Sequence, residues 1–307
     1  MVTRHELGGT TWVDLEEPTR DELSAVAREF NIDRRVEEEI ATPTPHPGCA
    51  AFPSHLYLII HFPAASGERR GARDQEIDIV IGKRFLVTAR YELQPSMHKL
   101  HKIFEAEELL GGNQSEMTPD ALLARVLSQL YQAIDHEVEY AAATLRRIEE
   151  RIFSGEERAM VMAISEVGRS LLRFDTALAH QLEPLERFLI SCTSPSFFGK
   201  GFASHAARIR RERDRAMTLV ASARAIANEL RETNQSLLST RQNEIMKTLT
   251  VVSFIMLPLG LVANIFGMNA ENIPIIGLKN DFWVILSIML ALSAVLTLFF
   301  LRKRWFS

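Results

Sequence analysis

The spacing of apolar positions changes character twice along this chain. Over residues 1–113 short apolar runs recur at strand length: TTWVDL, SHLYLIIHF, QEIDIVIG and KRFLVTAR read as strands, with a turn at Gly82-Lys83 between the last two. Between the first two strands, Thr19 caps a predicted helix over RDELSAVAREF, and Asp33 starts a short helix through Ile40. ATPTPHPG (41–48) is a proline-rich connector. This pattern predicts an α/β unit with a mixed or antiparallel sheet. From residue 114 the period becomes helical. Residues 114–200 predict a hairpin: one helix from Thr118-Pro119 to Phe153, a turn at Gly155, and a second helix to Leu189 before the loop SCTSPSFFGKG. A third helical pattern begins near Phe202 and meets no Pro or Gly until Pro258. Continued to Phe266 it is ~65 residues, or ~100 Å at 1.5 Å per residue.

Residues 249–266, LTVVSFIMLPLGLVANIF, and 282–301, FWVILSIMLALSAVLTLFFL, carry no charge. At ~18 and ~20 residues both can cross ~30 Å of hydrocarbon. They predict two membrane spans joined by a short external loop, 267–281, with 201–248 as a cytoplasmic stalk continuous with the first span. The basic residues Lys247, Arg302, Lys303 and Arg304 flank the spans, whereas the loop holds only Lys279 beside Glu271 and Asp281. The positive-inside rule therefore places both termini, including the basic tail 302–307, in the cytoplasm of an inner or plasma membrane. The two spans differ in kind. The first carries Thr250, Ser253, Pro258, Gly260 and Asn264, which cost energy against lipid; the second is Leu-, Phe- and Ile-rich. The first is thus expected inside an assembly and the second outside it. One hairpin encloses no channel, so a pore needs several copies around an axis.

Composition narrows the function. Acidic and basic residues nearly balance, 39 against 35, leaving no broad basic field for nucleic acid. Two cysteines make no disulfide framework. The N-terminal stretch lacks the apolar core of a signal peptide, so the segment before the spans is expected to stay in the cytosol. No triad, phosphate-cradling loop or paired-carboxylate site emerges, and no enzyme and no cofactor are expected. His98 and His101, three apart on a predicted helix, are a possible metal pair without a third ligand. On the stalk, RETNQSLLSTRQNE suits a water-filled lumen and equally a solvated helix face. Asn243, Met246, Leu249, Thr250, Ser253, Leu257 and Gly260 advance by threes and fours along one helix face.

The run Asn243-Glu244-Ile245-Met246-Lys247-Thr248-Leu249-Thr250, then Pro258, then Phe266-Gly267-Met268-Asn269, resembles the CorA family of divalent-cation transporters, two-span proteins with a Gly-Met-Asn turn. Trp12-Val13-Asp14-Leu15 and Phe85-Leu86-Val87-Thr88 are weaker echoes in the same order. The resemblance implies an α+β membrane protein assembled as a homopentameric funnel. First spans line the pore, with Asn243, Met246, Leu249, Leu257 and Asn269 facing it, and second spans form the outer ring against lipid. It implies uptake of Mg²⁺, also Co²⁺, with the hydrated ion met at an entrance of Gly267, Met268, Asn269 and Glu271. It also implies cytoplasmic carboxylates that bind Mg²⁺ between subunits: Glu232 matches by position, and Glu92 is a loose match to the partner expected after the FLVT strand. This chain departs from the pattern with Gly260 where a pore-facing Thr is frequent and Ile275 where an acid often follows the loop proline. The alternatives are a Zn²⁺ transporter of the same family and, in another class, a membrane-anchored coiled-coil scaffold or signalling protein.

Overall fold

The computed structural model describes residues 1–63, 74–92, 95–109, 117–268 and 280–303. The chain forms two compact units, Met1–Arg231 and Glu232–Ser307. In chain order its strands are β1 (Val2–Leu7), β2 (Thr10–Glu16), β3 (Gly48–Ala51), β4 (His55–Phe62), β5 (Gln75–Gly82) and β6 (Phe85–Arg90). Its helices are α1 (Arg20–Glu29), α2 (Arg34–Ile40), α3 (Pro95–Leu109), α4 (Pro119–Phe153), α5 (Glu157–His180), α6 (Leu182–Thr193), α7 (Ala203–Phe266) and α8 (Asp281–Arg302).

In the first unit the strands form one mixed sheet in the order β1-β2-β6-β5-β4-β3. Among the described strands only β2 and β6 pair in parallel. β4 and β5 are buried along their whole length because helices cover both faces of the sheet. Val13, Leu15, Tyr57, Ile59, Val80 and Val87 meet Leu23, Val26, Val36 and Ile40 of α1 and α2. The opposite face, with Trp12, Leu58, Ile60, Ile79 and Leu86, belongs to a larger core with α3, α4 and α6. The four predicted strands are β2, β4, β5 and β6. The partly exposed edge strands β1, VTRHEL, and β3, GCAA, offer too little apolar alternation to be predicted.

Both helix starts follow their caps. The Thr19 hydroxyl accepts from the Glu22 amide, and the Glu22 carboxylate accepts from the Thr19 amide at 2.9 Å. The Asp33 carboxylate accepts from the Arg35 amide. The hairpin departs from expectation in one respect: its second helix is broken at Gln181 into α5 and α6. Pro184 explains the break. Its ring excludes the carbonyl four residues back, at His180, yet sits comfortably in the first turn of a new helix, where amide donors are unpaired anyway. The part of α7 that packs in the first unit buries a narrow stripe. Ile209, Ala216, Val220, Ala223, Ala227 and Leu230 are buried, whereas Leu219 is half-covered and Ile226 exposed.

In the second unit, α7 continues through Pro258 to Phe266 and α8 follows, each long and apolar enough to cross a membrane. Almost nothing within the chain covers the apolar windows of either helix. Phe254 and Phe300 bring the two helices into contact, their ring centroids 6.3 Å apart.

Candidate functional site

The residues of the expected stripe lie on the stretch of α7 that the second unit contains. Asn243, Met246, Leu249, Ser253, Leu257 and Gly260 are exposed, Leu257 to 72%, and Thr250 is half-buried. The covered residues of the same segment, Val251, Ile255, Pro258, Leu259, Val262 and Phe266, lie on the opposite side at 3.6 residues per turn. The exposed remainder of the segment is mixed, with Val252, Phe254, Met256, Leu261 and Ile265 exposed alongside the polar residues. A Cβ added at Gly260 would meet nothing within 4 Å, so the face is open there.

Hydrogen bonding separates the polar residues. Thr248 and Thr250 donate their hydroxyl protons to the carbonyls of Glu244 and Met246, at 2.9 and 2.7 Å. Thr250 is thereby left with oxygen lone pairs for an outside donor. Asn243, Ser253 and Asn264 make no side-chain hydrogen bond among the described residues. An amide or hydroxyl without a partner costs about 2–7 kcal/mol in an apolar medium, so these groups call for a partner outside this chain. Asn264 lies four residues beyond Gly260 and is exposed. The sequence reading noted its polarity but left it off the stripe; extending the three-and-four spacing by one step would have included it.

At its C-terminal end, the Gly267 amide donates to the Ala263 carbonyl at 2.9 Å and closes α7. A Cβ at Gly267 would press on that carbonyl at 3.0 Å, which accounts for glycine there. Met268 is exposed. Asn269, Glu271 and Arg304 lie outside the described residues. At the other flank, Lys247 is half-buried, Arg302 ends α8, and the Lys303 ammonium sits 5.4 Å from the Phe299 ring centroid.

Of the predicted regulatory carboxylates, Glu92 lies in the first unit and Glu232 in the second. Among the described residues no three His, Cys, Asp or Glu side chains are grouped to hold a metal. Glu232 is exposed on α7. Glu92 is exposed at a surface cavity of about 500 Å³ that it shares with His61, Asp74 and Glu76. Glu76 there is already engaged, accepting from the Thr44 amide and hydroxyl at 2.6 and 2.9 Å. Behind it Asp78 is fully buried and accepts from the Tyr57 hydroxyl at 2.6 Å. Burial, reinforced by the charge of Glu76, pushes its pKa up to about 7 despite the tyrosine bond.

His98 and His101 are not a pair. His98 is exposed, whereas His101 is buried, with Nε2 at 2.7 Å from Asp14 Oδ2 and Nδ1 at 2.9 Å from His5 Nε2. Arg90, the last residue of β6, is 4% exposed and bridges Asp14 and Glu16.

Comparison with known proteins places these observations. A family model described as "CorA-like Mg2+ transporter protein" matches residues 8–303. The cobalt/magnesium transport protein CorA of Thermotoga maritima is 21% identical over 309 residues, spanning 96% of this chain and 83% of its own length. Among solved structures, the complete CorA magnesium transporter of Methanocaldococcus jannaschii aligns with a TM-score of 0.82 at 18% identity, covering 97% of this chain and 92% of that one. The ZntB cytoplasmic domain from Vibrio parahaemolyticus aligns with a TM-score of 0.60 at 10% identity, over 75% of this chain and 88% of that one. At these identities the structural likeness establishes the fold: an N-terminal α/β sheet domain, a long helix and two C-terminal apolar helices.

Proposed function

This chain belongs to the CorA-like Mg2+ transporter family, and from that premise we propose that copies of α7 surround an axial pore through which a hydrated divalent cation, Mg²⁺ or Co²⁺, enters the cell. Members of the family are transporters, so the work done is passage of an ion rather than a covalent reaction. The observation that carries the proposal is the exposed set Asn243, Met246, Leu249, Ser253, Leu257 and Gly260 along one face of α7. A helix that merely anchored a scaffold would have no use for Asn243, Ser253 and Gly260 on one face.

Along the stripe, Met246, Leu249 and Leu257 form apolar constrictions able to stop ions by dewetting. Asn243, Thr250, Ser253 and, at the mouth, Asn269 supply neutral oxygens. Such oxygens suit Mg²⁺, which gives up its water reluctantly: they accept hydrogen bonds from the coordinated waters and leave the shell intact. Gly267 and Met268 form the turn that carries Asn269, and copies of Glu271 raise the local cation concentration outside. We assign the family's homopentamer, with α8 as the lipid-facing ring, in an inner or plasma membrane. Lys247, Arg302, Lys303 and Arg304 mark the cytoplasmic side. The domain limits 1–113, 114–200 and 201–248 are likewise assigned to the cytoplasm. Glu232 and Glu92 are the candidates for a regulatory cation between subunits.

Zinc is the second reading. It rests on the likeness of this chain to the ZntB cytoplasmic domain, on the loose match of Glu92 to the second regulatory carboxylate, and on Ile275 where an acid often follows the loop proline. The test is uptake into liposomes holding the purified chain, comparing Mg²⁺, Co²⁺ and Zn²⁺ for the natural sequence and for Asn269→Ala. Uptake should vanish in the variant while assembly survives. Uptake that persists in Asn269→Ala refutes the entrance, and a strong preference for Zn²⁺ selects the second reading.

A further inference from the structure

Ser96 and Lys99 stand three apart on one side of α3, and both line a cavity of about 220 Å³ in the first unit. Ser96 is 8% exposed, and its hydroxyl makes no hydrogen bond among the described residues. Lys99 is exposed and has no ion pair among them. Gln129 of α4, half-buried on the same lining, is likewise without a hydrogen bond among the described residues. Much of the remaining wall is apolar: Phe62 of β4, Leu130 and Ile134 of α4, and Phe174 of α5. The Phe62 ring is held edge-on against Tyr131, with centroids 5.6 Å apart. From this convergence of a few polar groups on an apolar hollow we infer that the cavity binds a small aromatic carboxylic acid, with the ring inward and the carboxylate toward Ser96 and Lys99. The inference is independent of the pore reading, because every residue it uses lies in the first unit.

Volume fixes the size of the ligand. An apolar cavity of about 150 Å³ takes a benzene ring. This one takes a ring carrying one small group and is too small for a long acyl chain. Phe62 and Phe174 can meet such a ring in offset or edge contacts, the arrangements that aromatic pairs prefer. Charge fixes the group. The Lys99 ammonium is a donor without an acceptor, and the Ser96 hydroxyl and Gln129 amide add neutral donors; a carboxylate accepts from all three. An ammonium ligand would meet Lys99 as a like charge. Two other titratable groups lie on the lining. His136 is exposed and 3.7 Å from Glu139. Glu137 is half-buried and has an interaction of its own. Gln129 and Glu137 are ~12 Å apart along the axis of α4, so an anion held beside Gln129 stands about two turns from the Glu137 carboxylate.

The test titrates sodium benzoate into the detergent-solubilised full chain by calorimetry, with benzylamine as a cation of similar shape. Benzoate should bind saturably, and benzylamine should not. Lys99→Met keeps the stem and removes the charge; it should weaken benzoate binding about tenfold or more, the scale of one lost charge-assisted hydrogen bond. Ala133→Leu, on the lining, should fill the cavity and abolish binding, whereas Lys200→Met, exposed elsewhere on the first unit, should leave it unchanged. Thermal unfolding gives a second reading that needs no cavity-filling variant. The unfolding temperature of the natural chain should rise with benzoate concentration, and that of Lys99→Met should rise far less. Absence of saturable binding, benzylamine binding as tightly as benzoate, or undiminished benzoate binding by Lys99→Met would each overturn the inference. None of these results bears on Mg²⁺ uptake, so the pore reading stands or falls separately.

Discussion

Arg90 Nη1 lies 2.8 Å from Asp14 Oδ2, with the two side chains 5% and 1% exposed. The same carboxylate oxygen accepts from His101 Nε2 at 2.7 Å, and Oδ1 accepts from the Thr88 hydroxyl. The indole of Trp12 stacks on His101 and donates to Thr88 at 3.1 Å. This network joins β2, β6 and α3 at the parallel pair of the sheet. Removing one partner leaves the other charge buried without its counterion. Asp14→Ala should therefore destabilise the first unit by about 3–5 kcal/mol. Denaturant unfolding of the detergent-solubilised chain measures this, and a loss below about 1 kcal/mol contradicts the account.

Asp78 makes stability depend on pH with a definite sign. Its pKa is about 7 in the folded chain against 3.8 as the reference value, so the folded state holds the proton more tightly than the unfolded state. Its contribution is fully present below about pH 4 and is lost as pH rises toward 7. Asp78→Asn imitates the protonated form and can keep the Tyr57 bond. The variant should match the natural chain near pH 4 and exceed it at pH 8, by at most a few kcal/mol. Thermal unfolding across this range checks it; a difference that does not change with pH counts against the burial argument.

How much of this could be read without coordinates follows from where the sequence signal is strong. The capped helices α1 and α2 were legible because Thr19 and Asp33 act locally on amides two or three residues away. The two apolar helices were legible because a continuous uncharged segment of that length is a strong signal. The break at Gln181 was missed although Pro184 announces it, and the edge strands were missed because half-exposed strands carry little period-2 signal. His101 was misread because its partners, His5 and Asp14, are 96 and 87 residues away in sequence. No local spacing carries that information. On α7 the period groups Asn243 to Gly260 on one side, but which side the chain itself covers emerges only from the packing of α7 with α8.

Leu257 is the most exposed of the three apolar residues on that face, at 72%. If rings of such residues hold back ions by excluding water, Leu257→Ser should raise resting Mg²⁺ uptake several-fold, since a hydroxyl keeps the constriction wet. Fluorescent-indicator uptake in liposomes reads this directly. An unchanged resting rate would remove Leu257 from the barrier.

The central claim, passive entry of a divalent cation through an axial pore, is tested most directly by uptake against membrane potential in liposomes containing only this chain. A potential of 100 mV is worth about 2.3 kcal/mol per charge, and twice that for a divalent ion. The account predicts Mg²⁺ or Co²⁺ influx that grows as the interior is made negative. Influx indifferent to the potential, or no divalent uptake at any potential, would contradict it.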